Sequence, residues 1–256
     1  MNVAERSAES EKAKSSGGLG ETLKVVIQAL LIALVFRTFL YHPFNIPSGS
    51  MMPTLLVGDY LFVSKFSYGY SRYSFPIDLS FIHGRIWEGD GPKRGDVAVF
   101  RLPRDPKTDY IKRVIGLPGD KIQMKNGLLY INGTPVERER VEDYTGENAF
   151  GQEIKVAQYR ETLPDGVSYM TLDLTPNGEK DNTGVYEVPA GHYFMMGDNR
   201  DNSSDSRFLN FVGFVPEENL VGRAEVIFFS VEEDSHVWEF WRWPWSLRYN
   251  RLLEAL

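Results

Sequence analysis

Residues 109–133 read DYIKRVIGLPGDKIQMKNGLLYING. Short apolar runs are broken by Pro118-Gly119 and again by Asn126-Gly127. Asn-Gly between two apolar runs is a hairpin signal, because both residues accept the left-handed backbone of a two-residue turn. Strand alternation places Tyr110, Lys112 and Val114 on one face and turns Arg113 to the other. The same texture extends in both directions: GDYLFVSKF (58–66), GDVAVFRL (95–102), HYFMMGD (192–198) and GRAEVIFFSV (222–231). No long segment of helical period appears after Pro43, so the body is predicted to be all-β.

Residues 134–187 break this texture. They are polar, acidic and rich in Thr, Gly and Glu, and they read as an insertion carrying its own small sheet, or as a partly mobile flap. The catalytic body would then comprise 43–133 and 188–256. The chain ends HVWEFWRWPWSLRYNRLLEAL, with four of its five Trp between Trp238 and Trp245. This patch suits a membrane interface, where Trp concentrates. Phe62, Phe66 and Tyr68 are expected to dip into the same layer.

Residues 1–21 are polar and read as a short flexible tail. Residues 22–41 form a run of about 20 residues, roughly 30 Å as a helix, which spans a bilayer. Lys24 and Arg37 bracket its apolar centre, Val25–Phe36, and reach the two interfaces. Bulky residues follow the run, where a cleaved leader would carry small ones. It is therefore read as an uncleaved anchor. Arg6, Lys12, Lys14 and Lys24 precede it and Arg37 alone lies close behind, which puts the N-terminus in the cytoplasm and the body outside.

Composition narrows the chemistry. Hydrophobic residues at 42% and charged residues at 25% are globular values. The formal net charge of −7 offers no footprint for nucleic acid. With Cys 0, thiolate nucleophiles, disulfides and thiolate metal sites are excluded. His42, His83, His192 and His236 show no metal-ligand spacing, so neither metal nor cofactor is expected.

Three segments carry candidate chemistry. In Pro43–Leu55, PFNIPSGSMMPTL, two serines flank Gly49 between prolines that limit the loop's freedom. A rigid loop presenting a hydroxyl suits a serine nucleophile, and it equally suits a plain turn. No histidine stands in a Ser/His/Asp pattern. A lysine can act as base if burial lowers its pKa, and Lys112, between apolar neighbours, is the best candidate. At a reference pKa of ~10.4, half-deprotonation near neutral pH requires a fall of roughly three units, about 4 kcal/mol, within reach of full burial. Met196–Arg207, MGDNRDNSSDSR, follows an apolar strand. The spacing of Asp198, Asp201 and Asp205 suggests a calcium loop, but the terminal Glu and flanking helices are missing. A self-satisfied Asp/Arg/Ser network that holds other residues is expected instead.

Taken together, the anchor, IPSGSMMPTL (46–55), RGDVAVF (94–100), YIKRVIGLPGD (110–120), GDNRDNSSDSR (197–207) and GFVP (213–216) resemble bacterial type I signal peptidases in order and character. The resemblance implies a folded-over β-sheet body with a smaller inserted β subdomain, behind one transmembrane helix. It implies Ser50 as nucleophile, Lys112 as general base, Ser48 as oxyanion donor beside the Ser50 N–H, and Ser203 as the hydroxyl that orients the lysine. Asp205 with Arg207 and Asp198 with Arg113 would be supporting ion pairs. Phe44, Ile46, Met51, Leu55, Tyr110 and Ile111 would wall pockets for small side chains. The implied substrates are preproteins with Ala-X-Ala signal-peptide ends, and the implied site is the outer face of the bacterial cytoplasmic membrane. Many family members carry two membrane segments before the nucleophile box, whereas this sequence has room for one. Two other expectations compete: a Ser–Lys peptidase that matures one conjugation or pilus component, and a non-catalytic domain that binds exported chains.

Overall fold

The apolar runs fold as strands, and the body is all-β. The protein is described by a computed structural model covering residues 3–75, 81, 83–147, 153–232 and 238–256. In chain order the strands are β1 (Tyr41–Asn45), β2 (Asp59–Ser64), β3 (Gly69–Ser71), β4 (Arg85–Glu88), β5 (Val97–Leu102) and β6 (Asp105–Gly116). There follow β7 (Lys121–Lys125), β8 (Leu128–Ile131), β9 (Thr134–Pro135), β10 (Glu137–Arg140), β11 (Tyr144–Glu147), β12 (Glu153–Thr162) and β13 (Ser168–Asp173). The last are β14 (Tyr186–Glu187), β15 (His192–Met196), β16 (Val215–Pro216), β17 (Leu220–Ser230) and β18 (Glu254–Ala255).

The main sheet has the order β1-β2-β17-β5-β6-β15-β16, with β18 added to β17. A second sheet, β14-β7-β8-β9, contains the hairpin at Asn126-Gly127, where φ is 48° and 73°. A third joins β10, β12, β11 and β13, so residues 137–173 build their own sheet; residues 148–152 lie outside those described.

β5 explains the folded-over shape. Val97 and Val99 point into a core with Ile46, Met51, Leu55, Leu61 and Ile111. The alternate residues Ala98, Phe100 and Leu102 point into another, with Tyr68, Val114, Met195 and Leu220. A strand apolar on both faces requires cover on both, and each buried side chain of this size contributes about 1.5–3 kcal/mol. A further core, with Ile122, Leu129, Phe194 and Met196, includes Leu163 and Tyr169, and so cements the third sheet to the rest. Three register shifts in β17 let the main sheet curve around these cores.

The helix α1 (Val3–Phe39) starts earlier than the sequence suggests. Residues expected as a flexible tail are helical, because Ala4, Glu5, Arg6, Ala8, Glu9, Glu11, Lys12, Ala13 and Lys14 are strong helix formers that outweigh Gly17-Gly18. Its stretch Gly20–Phe39 is apolar, almost wholly exposed and long enough to cross a bilayer. Residues 1–40 and 41–256 form separate units.

At the other end, Arg251 donates to both Asp59 carboxylate oxygens, at 3.1 and 2.7 Å, and pins the tail to β2. Trp243 packs on Phe229 at 5.1 Å, while Trp238, Trp241 and Trp245 stand exposed. His236 and Val237 lie outside the described residues. Beside the tail, Phe62 stacks on Phe228 at 4.2 Å and Phe66 is partly exposed. Tyr68 departs from expectation. It is 1% exposed and donates to Asp96 at 3.0 Å, because the turn between β2 and β3 folds it back into the core beside Phe100 and Val114.

Candidate active site

The nucleophile loop hangs between β1 and β2. Its neck is closed by Ile46 N–H on Asp59 O at 2.9 Å and Gly58 N–H on Ile46 O at 3.1 Å. Ile46, Met51 and Leu55 anchor it from below, and Gly49–Met51 forms one 3₁₀ turn. From the side, Asn199 donates its backbone N–H to Ser50 O at 3.1 Å and its side-chain amide to Gly49 O at 3.0 Å. Thr54 donates to Asp198 at 2.5 Å. Gly197 makes this approach possible, since a Cβ there would stand 2.5 Å from Ser50 O and 2.2 Å from Ser203 Oγ.

β6 carries Lys112 to this loop. Lys112 Nζ lies 2.7 Å from Ser50 Oγ, donates to Ile111 O at 2.8 Å and sits 5.3 Å from the Tyr110 ring centre. Lys112 is 3% exposed and Ser50 8%. Burial lowers the lysine from 10.5 to about 8 against the opposing pull of Asp205 and Asp198. Arginines blunt that pull. Arg113 grips Asp198 at 2.9 and 2.6 Å, and Arg207 grips Asp205 at 2.9 and 2.8 Å. Burial tends to raise the Asp205 carboxyl, but Arg207 and the Gly197 N–H hold it below its usual value.

A cleft of about 360 Å³ opens over the pair. Phe44, Ser48, Ser50, Tyr110, Ile111 and Lys112 line it, as expected residues; Pro47, Thr108, Asp109, Asn202 and Ser204 join them. Ile46, Met51 and Leu55, expected as pocket walls, are instead at most 2% exposed and belong to the core beneath. They are the loop's apolar anchors and do not line the cleft. Ser203 also departs from expectation. Its hydroxyl is buried, close enough to Asp205 to help lower it, and among the described residues forms no hydrogen bond of good geometry to Lys112 or any other group. β15 ends at Met196 and pairs with β6 only from Arg113 to Gly116. Upstream, among the described residues, that edge of β6 is open where Thr108–Lys112 line the cleft.

The calcium spacing is not realised. Asp198 and Asp205 are taken by arginines, and Asp201 accepts the N–H groups of Leu174 and Thr175 at 2.8 and 2.9 Å. Asp201 does come within 4.8 Å of Asp173 and Asp181, where Arg138 and the Gly178 N–H balance the charge.

Thr54 and Asn199 were missed, though both stand in segments already singled out. Glu161 was missed outright. It is fully buried in β12 and accepts from Arg200 at 2.8 and 2.5 Å. No local signal marks a pair 39 residues apart.

The family model described as "Signal peptidase, peptidase S26" matches residues 19–229. The signal peptidase I of Rickettsia typhi (strain ATCC VR-144 / Wilmington) is 46% identical over 211 residues, 79% of this chain and 77% of that protein. That of Rickettsia akari (strain Hartford) is 42% identical over 244 residues, 89% of each. A crystal structure of a signal peptidase I from Enterococcus faecalis V583 is 27% identical and covers 52% of this chain and 97% of that one, with a TM-score of 0.31.

Proposed function

The chain belongs to the signal peptidase S26 family and is a serine endopeptidase, and from that premise we propose that it removes signal peptides from exported preproteins with Ser50 as nucleophile and Lys112 as base. The observation that carries the dyad is the 2.7 Å approach of Nζ to Oγ with both groups buried. A pKa of about 8 in place of 10.5 raises the neutral fraction of the amine at pH 7 by roughly 300-fold.

Neutral Lys112 takes the Ser50 proton as Oγ bonds to the scissile carbonyl carbon. The Ser50 N–H has no acceptor within its own 3₁₀ turn, and with the exposed Ser48 hydroxyl it meets the oxyanion. Each such donor is worth about 3 kcal/mol. Lys112 then protonates the leaving amine, the C–N bond breaks, and an acyl group remains on Oγ. Water then gives one proton to Lys112 as its oxygen bonds to the acyl carbon; the acyl–Oγ bond breaks, Lys112 returns that proton to Ser50 Oγ, and the released carboxylic acid ionises to solvent. An extended substrate adds a strand to the open edge of β6, and the narrow cleft, walled by Phe44, Tyr110 and Ile111, takes Ala one and three residues before the cut. α1 anchors the chain in the bacterial cytoplasmic membrane with its N-terminus inside.

Ser50→Ala and Lys112→Ala, assayed on a preprotein ending its signal in Ala-X-Ala, are expected to leave only background cleavage, with the double variant no worse than either. The wild-type rate is expected to rise with pH through a midpoint near 8. Activity above a few per cent in Lys112→Ala, or equal cleavage with Leu at both positions, would sink the proposal.

A further inference from the structure

Glu161 lies in the third sheet and does not line the cleft, yet its carboxylate is tied to the segment that holds the nucleophile loop. It is fully buried. Its two oxygens accept from Arg200 Nη1 at 2.8 Å and Nη2 at 2.5 Å, and the Tyr169 hydroxyl donates to it at 3.0 Å. Arg138 adds charge at 3.8 Å.

Two routes lead from this carboxylate to the nucleophile. Arg200 is 4% exposed, and its backbone N–H donates to Leu172 O at 2.9 Å while Leu172 N–H donates to Asp198 O at 2.9 Å. Residues 198–200 are thus laid along the end of β13, and it is Asn199, between them, that holds the carbonyls of Gly49 and Ser50. In the second route the Tyr169 ring lies 4.2 Å under the Arg113 guanidinium, which holds Asp198 with two hydrogen bonds.

We propose that Glu161 is a positioning residue for peptide-bond cleavage, acting through Arg200 and residues 198–200 to keep Ser50 against Lys112. The third sheet is then part of the catalytic machinery. The inference rests on Ser50 and Lys112 being the reacting pair. Without Glu161 the buried Arg200 guanidinium loses its ion-pair partner, and it must move towards water and take its backbone with it. A small displacement of a nucleophile has a large effect on rate, up to 100-fold for about 1 Å.

The test uses the full-length protein in detergent micelles, an Ala-X-Ala preprotein, and a temperature at which near-ultraviolet circular dichroism shows the variant folded. Glu161→Gln is expected to lower kcat by roughly 10- to 100-fold with KM within about twofold, because no cleft residue is altered. Unchanged kcat overturns the proposal, as does a rise in KM alone. If Glu161→Gln does not fold, the Glu161→Met/Arg200→Met double variant removes both charges and relieves the buried cation. It is expected to be folded and slow. A folded double variant with wild-type kcat would mean that the pair serves stability only, and the proposal falls. Ser50→Ala runs alongside. If that variant still cleaves, the dyad and the positioning role fall together; if it is dead while Glu161→Gln is as fast as wild type, the positioning role alone falls.

Discussion

A lysine at 3% exposure is unusual, because its charged form loses its hydration there. The displacement from 10.5 to about 8 is what remains of that loss after the attraction of Asp205 and Asp198, a net cost of about 3 kcal/mol at ~1.36 kcal/mol per pKa unit. The sign follows from the protonation of the two states. Below about pH 8 the lysine is protonated both folded and unfolded, and the folded state bears the full cost. Between about 8 and 10.5 the unfolded chain binds more protons than the folded one, so stability rises with pH until the cost is gone. Lys112→Met, of similar length and apolar, is therefore expected to be inactive and more stable than wild type by about 1–3 kcal/mol at pH 7. The advantage shrinks as pH passes 8. Urea unfolding of the two proteins at pH 7 and pH 10 measures it, and equal stability at pH 7 would contradict the burial argument. The sequence alone suggests this lysine, because strand alternation sets it between Tyr110 and Val114. It does not reveal which way Ile46, Met51 and Leu55 face. A short loop segment marks residues near a site, while the side each one takes depends on strands far away in the chain.

Among the elements, β2, β5, β7, β8 and β15 were legible because each is a short apolar run bounded by Gly, Pro or Asn-Gly, whereas the polar β10 and β11 carry no such pattern. The contacts that hold the nucleophile loop were less legible. They run from the loop after β15 to backbone carbonyls, and a carbonyl carries no residue identity. The fit is tight at Gly197. Gly197→Ala would place a methyl group 2.5 Å from Ser50 O and 2.2 Å from Ser203 Oγ, so the two segments must part. Overpacking of this kind costs about 1–3 kcal/mol. The expected outcome is a modest fall in melting temperature with a fall of more than about tenfold in kcat, measured on the same preparation. Wild-type kcat would show that the loop tolerates the shift.

At the scale of the molecule, most of the exposed large apolar side chains among the described residues lie on α1 and on the tail. Trp238, Trp241 and Trp245 are 65%, 58% and 80% exposed, and Tyr249 and Leu253 stand with them. Trp so exposed on a rigid tail suits the headgroup layer. The fragment 41–256, a separate unit, is expected to bind lipid vesicles, and Trp238→Ala/Trp241→Ala/Trp245→Ala to bind roughly tenfold more weakly or worse, while soluble-peptide cleavage is unchanged. Vesicle flotation decides it; equal binding would remove the tail from the interface. The open edge of β6 has a different consequence. Unpaired N–H and C=O groups along a strand will accept any extended chain, including a second copy of the same strand, so a sheet left open for substrate is exposed to self-association. Here the outer half of the strand reads Asp105-Pro-Lys-Thr-Asp109, exposed through Thr108. The proline removes a donor, and the charges make a second copy repel or hydrate before it can zip. Only the short inner stretch up to Lys112 stays receptive, deep in the cleft, where a thin flexible peptide reaches and another folded body does not.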